Sequence, residues 1–339
     1  SPPYFNPSSG AFPDINAYEA DLYLIDSTSL VEHFANSATI SDEWDNKSSA
    51  YVSHLTLLTV ALFLLGLSVT IVGRARWMFV VMGTVIAGIA VVWMAITAVK
   101  PVGAVPEPAM DAYAHGVGLA FEEKYDQAVQ AFDEAITHAP GYANAYYERA
   151  KAAAKAGSLD RAAADYEASI QAGREDVWAL WNLGWTYYLL GRFDDAMTAT
   201  EAALEQAPDQ VGLRFNLALA YLARGNGDAA TAAYADGMKM ATDQVAAAQA
   251  AGKEAPVSLW WYLNASGVDL DHLLDCATKG VCKGSPPAGR MANVKSANDA
   301  ASAIRQELKS LAVALENTGL PPGPAVAAAI ADVAFVEPV

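Results

Sequence analysis

The chain has 339 residues, of which 53% are hydrophobic and 17% charged, and a formal net charge of -17. So large an apolar fraction exceeds what one compact core needs, and so acidic a chain excludes a surface that gathers nucleic acid or anionic lipid through Lys and Arg. Its two cysteines, Cys276 and Cys282, exclude a disulfide framework and leave room for one small staple.

Residues 1–47 read as an N-terminal arm. The opening "SPPYFNPSSGAFPD" is rich in Pro and Ser and holds no core of its own, so Tyr4, Phe5 and Phe12 are expected to serve as anchors only when docked on something else. The following "INAYEADLYLIDSTSLVEHFANS" has the pattern of one amphipathic helix. Ser41, with acidic residues after it, is placed to cap the start of the next helix.

Residues 48–100 contain two charge-free stretches, Ser48 to Gly73 and Trp77 to Val99. Each matches the roughly 20 residues that an α-helix needs to cross about 30 Å of hydrocarbon. Only Arg74, Ala75 and Arg76 lie between them, so the two segments return antiparallel as a transmembrane hairpin. Gly66 with Thr70, and Gly83 with Ala87, are the small residues expected to let the backbones approach. A short loop carrying Arg74 and Arg76 stays cytoplasmic, which places both termini and all later residues outside the cytoplasm. The cysteine pair suits such an oxidising compartment.

A Pro-rich linker at residues 101–108 precedes a change of character. Over residues 109–252 a 34-residue period appears, with units starting near Ala109, Ala143, Val177 and Val211. Small residues recur at Gly116, Ala128, Ala150, Ala162, Gly184, Ala196, Ala218 and Ala230, where two helices of a pair must approach closely. Large aromatics such as Phe132, Tyr166, Tyr187, Phe193 and Tyr234 fill what remains. The second unit carries Arg174 where the others suggest a closing Pro, and the fourth lacks one, so its last helix is expected to run on to Gly252.

These positions resemble the tetratricopeptide repeat (TPR) family, whose 34-residue helix-turn-helix unit has the pattern W-x2-L-G-x2-Y, then A-x3-F, then P. The resemblance implies an all-α chain: the hairpin, then a right-handed α-solenoid of about four helix pairs, closed by C-terminal capping helices in residues 253–339. In that family the second, fifth, ninth and twelfth positions of each first helix face a concave groove. Here they include Tyr113, Val117, Tyr147, Lys151, Trp178, Trp181, Trp185, Tyr188, Phe215 and Leu219, with Lys155 as a second cation beside Lys151. Such a trough is an aggregation hazard if left bare. Its occupant is either the chain's own "PVSLWWYLNASGVDLDHLLDC" and "PGPAVAAAIADVAFVEPV", or a helix or extended peptide from a partner.

No metalloprotease, P-loop, dinucleotide or nucleophile-elbow motif occurs, and the cluster Asp269, Asp271, His272 and Asp275 beside Cys276 reads as a helix start rather than a metal site. The expectation is a non-enzymatic scaffold needing no cofactor or metal, anchored in the bilayer and binding other proteins, with no nucleic-acid partner. The alternatives are an accessory structural subunit of a large membrane complex, or an assembly factor for exported proteins.

Overall fold

A computed structural model describes residues 24–100, 102–253, 256–291, 299–307 and 309–310. The anchors Tyr4, Phe5 and Phe12, and the segment at residues 322–339, lie outside them. The chain divides into two compact units, residues 1–122 with 137–140, and residues 123–136 with 141–339.

In the first unit, α1 (Asp26–Thr70) and α2 (Ala75–Val99) form an antiparallel pair, and α3 (Glu107–Phe121) packs on α1. Both α1 and α2 are long and apolar enough to cross a membrane. Their buried residues repeat every seven positions, His54, Ala61 and Ser68 on α1 facing Gly83 and Ala90 on α2, the spacing of a helix-pair seam. A Cβ on Gly83 would stand 2.8 Å from Leu65 Cγ and 3.0 Å from the Ala61 carbonyl, so hydrogen alone fits there. A Cβ on Gly66 would meet nothing within 4 Å, and Thr70 is exposed, so neither makes the close approach expected of them. His54 Nε2 and Thr97 Oγ1 are hydrogen-bonded across the pair at 3.1 Å.

One further correction concerns this unit. Ser41 caps nothing, because α1 runs unbroken through it from Asp26 and no Pro or Gly interrupts the stretch. The Pro-rich linker is held along α1. Asn36 on α1 donates to the Val105 carbonyl and accepts from the Val105 amide, at 3.1 and 2.9 Å, and Glu43 accepts from the Gly103 amide at 2.6 Å. The backbone groups that Pro-rich chain leaves unpaired are thus satisfied by side chains.

In the second unit, α4 (Tyr125–His138), α5 (Ala143–Lys155), α6 (Leu159–Gln171), α7 (Val177–Leu189), α8 (Phe193–Gln206), α9 (Val211–Ala223) and α10 (Gly227–Ala250) follow one another through short turns. Glu123, Gly157, Gly191 and Gly225 all adopt positive φ, between 61° and 87°, at intervals of 34 residues. At the three glycines the glycine's own amide and the one after it close a Schellman cap, as in Gly191 N–H to the Tyr188 carbonyl and Arg192 N–H to that of Tyr187. Gly173 makes the same cap at the end of α6, which is how the second unit stops without its Pro. Leu180, Ala203 and Leu213 pack with Ile170 and Trp181, so a core contact passes from α6 through α7 and α8 to α9. A Cβ on Gly184 would meet Thr200 Oγ1 at 2.7 Å, which holds α7 and α8 close.

One buried ion network ties three helices together. Arg149 on α5 forks onto Asp165 on α6 through two of its nitrogens and reaches Asp133 on α4, which Arg161 also contacts. Without a closing Pro, α10 continues to Ala250, where Gly252 terminates it. Then α11 (Val257–Lys279) packs against α9, and residues 299–307 form a further helix, α12, whose Arg305 pairs with Asp271. The Cys276 and Cys282 sulfurs lie at disulfide bonding distance across the end of α11.

Candidate functional site

The third helix pair carries most of the groove aromatics. Asp176 caps α7 by accepting from the Ala179 amide at 2.8 Å. From that start Trp178, Trp181, Trp185 and Tyr188 fall on one face at i, i+3, i+7 and i+10. Trp178 stacks on Trp181, with ring centroids 5.6 Å apart and planes 11° from parallel, and Trp185 stacks on Tyr188 at 5.1 Å.

The C-terminal region covers much of this face. Tyr262 on α11 lies 5.5 Å from Trp181, and both crowd Gly212, where a Cβ would be 2.6 Å from the Trp181 ring and 2.7 Å from that of Tyr262. Past α11, the Arg290 side chain sits against Gly191, with no room for a Cβ there. Burial pushes the Tyr188 phenol well above its ordinary value, with the Asp269 carboxylate reinforcing the effect and Ser285 opposing it. Tyr113, Tyr147, Tyr188, Phe215 and Leu219 are all buried residues rather than an open trough, a correction to their expected exposure. Val117 is intermediate, while Lys151 and Lys155 are exposed. Trp178 keeps 49% of its surface exposed.

Polar side chains gather over the buried Tyr147 ring. The Arg174 guanidinium lies 3.7 Å over its ring, Lys151 Nζ lies 5.5 Å from its centroid, and Asn182 donates to its hydroxyl at 2.9 Å. Arg174 also donates to Asn144 at 2.8 Å and to Asp176 at 3.1 Å, and Lys151 pairs with Glu148 at 2.8 Å. Arg174 is thus a groove residue, although its sequence signal was only a missing Pro.

Beside this patch α7, α9 and α11 enclose a cleft of about 240 Å³. Trp181 and Trp185, Phe215, and Trp261 and Tyr262 form its walls, and Tyr262, Ala265, Ser266 and Asp269 line it from a single face of α11. Asp269 is mid-helix here, because α11 begins at Val257, so it does not cap a helix start as its spacing suggested. Burial pushes its carboxyl up to about 7. Its neighbours in sequence diverge: Asp271 turns to Arg305, Asp275 to Lys279, and His272 packs on Gly284. Among the described residues no three His, Cys, Asp or Glu groups converge on one point.

Comparison with known proteins accounts for the period. Residues 113–177 match one family model described as tetratricopeptide repeat, and residues 153–210 and 191–252 match another of the same description, so this stretch carries TPR repeats. Repeats of this kind generally mediate protein–protein interaction and are generally non-catalytic. No curated protein matches the chain. Among solved structures, MamA residues 41 to the end from Desulfovibrio magneticus RS-1 is similar at 20% identity and a TM-score of 0.39, over 47% of this chain and 85% of that one. YrrB, titled a TPR protein with an unusual peptide-binding site, is similar at 17% identity and a TM-score of 0.38, over 60% and 92%. Pseudomonas aeruginosa PilF is similar at 15% identity and a TM-score of 0.37, over 67% and 97%.

Proposed function

We propose that this chain is a membrane-anchored scaffold whose repeats bind another protein on the extracytoplasmic side. The observation that carries the binding role is that Trp178 keeps about half its surface exposed on the groove face while Arg174 lies over the Tyr147 ring, since Trp, Tyr and Arg are the residues enriched at protein interfaces. Anchoring rests on α1 and α2, whose apolar windows are only 17% and 11% buried, as expected for surfaces meeting lipid. Arg74 in the intervening turn and Arg76 in the first turn of α2 support the orientation with that turn in the cytoplasm. An anchor confines the repeats to two dimensions and so raises their effective concentration near membrane partners. Recruitment, rather than turnover, is the mechanism.

A second reading, an accessory subunit of a large membrane complex, draws on the coverage of the groove by α11 and the Arg290 segment. A photo-crosslinking residue at position 178 of the full chain, irradiated in native membranes, separates the two. Attachment to one other protein is the expected result, and the partner dissociates in mild detergent if recruitment is reversible. A fixed stoichiometry that survives purification favours the subunit reading, and attachment only within the chain overturns both.

Orientation has its own check. Val72 is 94% exposed in the turn between α1 and α2, so Val72→Cys offers a reachable thiol. A membrane-impermeant maleimide is expected to label it only after the membrane is opened. Labelling in sealed cells would place the repeats in the cytoplasm.

A further inference from the structure

We propose that the cleft between α7, α9 and α11, walled by Trp181, Trp185, Phe215, Trp261 and Tyr262 and carrying Asp269 in its lining, binds an alkylammonium cation. This site lies beside the partner-binding patch and stands whatever protein the repeats recruit.

The wall geometry is that of a corner rather than a stack. Tyr262 is tilted 34° from Trp181 and stands 77° from Trp261, with centroids 5.5 and 5.4 Å apart, so the three rings meet at angles around the cleft they line. An aromatic face presents the negative side of its quadrupole, and an organic cation held among several rings is attracted without losing strong hydrogen bonds. Among the described residues no Lys, Arg or His lines the cleft, and the one charged group that does is a carboxylate.

The polar groups at its base point the same way. Ser266 is 4% exposed and lines the cleft, and its hydroxyl faces the buried Tyr234 phenol as that of Ser285 faces Tyr188. The Asp269 charge acts on both tyrosines. A largely buried carboxylate without a counter-charge is costly, and a bound cation would offset that cost. An anion would be repelled here, and a neutral ligand would leave the cost in place. Hard metal ions are held chiefly by clustered carboxylates and carbonyls, whereas among the described residues the lining offers one carboxylate, Asp269, set among aromatic rings. The volume of about 240 Å³ falls below the roughly 300–1,000 Å³ of drug-sized pockets and suits a headgroup. Trp261, 47% exposed, forms the rim through which it enters.

The cation is either a free small molecule or the side chain of a lysine, and the test separates them. The full chain in mild detergent is titrated with choline, with N-acetyl-lysine amide, and with 3,3-dimethylbutan-1-ol, the uncharged carbon counterpart of choline. Tryptophan fluorescence and calorimetry provide the readouts. At least one cation is expected to saturate, about tenfold or more tighter than the alcohol. Its affinity rises between about pH 6 and pH 8 as Asp269 ionises. Asp269→Asn is expected to weaken the cation roughly tenfold and leave the alcohol unchanged. Trp261→Leu, at an exposed rim, is expected to weaken the cation with the fold intact, so the test does not hang on one variant. Tighter choline identifies a free cation, and tighter lysine amide a peptide side chain. Equal binding of alcohol and cation, or no saturation by either cation, overturns the proposal.

Discussion

Replacing Arg149 by Met is expected to destabilise the repeats by about 3–5 kcal/mol, the cost of leaving a buried charge without its partner. The side chains of Arg149 and Asp165 are only 13% and 7% exposed, and the guanidinium fork satisfies both oxygens of Asp165. Removing the fork leaves that carboxylate desolvated with only Arg161, 3.8 Å away, as a neighbouring cation. For a unit of this size the loss corresponds to a fall in unfolding midpoint on the order of 10 °C, read by circular dichroism. The double replacement Arg149→Met with Asp165→Leu is expected to recover most of it, since a buried pair exchanged for apolar side chains of similar volume is often neutral. If the single replacement costs less than about 1 kcal/mol, the network does not hold α4, α5 and α6 together.

Asp269→Asn is expected to act in the opposite direction and to depend on pH. In the fold, burial keeps the carboxyl protonated up to about pH 7, while in the unfolded chain it loses its proton near pH 4. The folded state therefore binds the proton more tightly, and stability falls as pH rises from about 4 to about 7, then levels off. The fold holds this proton roughly a thousandfold more tightly, and at about 1.4 kcal/mol for each factor of ten the cost is at most about 4 kcal/mol, less to the extent that water in the cleft reaches the group. The Asn variant escapes this cost. Above pH 7 it should be the more stable protein, and below pH 4 the two should unfold together. A difference that does not change with pH would show that burial of the Asp269 charge is not what destabilises the native chain. Saturation with a bound ammonium should erase the difference, which joins this measurement to the proposed cation site.

Much of the architecture was legible because it repeats. One 34-residue period placed small residues where helices meet and glycines where they turn, and Gly157, Gly191 and Gly225 take up positive φ for that reason. Where the pattern lapses, local chemistry shows how the chain copes: Gly173 ends α6 in place of Pro, while α10 runs on until Gly252. The two apolar helices were legible from length and hydropathy alone, but their seam was not. Gly83 and Gly66 look alike as sequence, and only the crossing of α1 and α2 leaves Gly83 without room for a Cβ.

The site divides along the same line. Residue order determined that Trp178, Trp181, Trp185 and Tyr188 share one helix face, because helical periodicity is a local property. Which of them meets solvent was decided by chain far away. Tyr262 and Arg290 return from the C-terminal region to cover the face, leaving Trp178 exposed and Tyr188 buried. Asp269 makes the point most sharply. In sequence it is one acid among several near Cys276, and only the packing of α11 against α9 carries it into an aromatic cleft while its neighbours pair elsewhere. Periodicity is written within a few turns of helix, whereas burial and the electrostatics that follow from it depend on which distant segment comes to rest on the face.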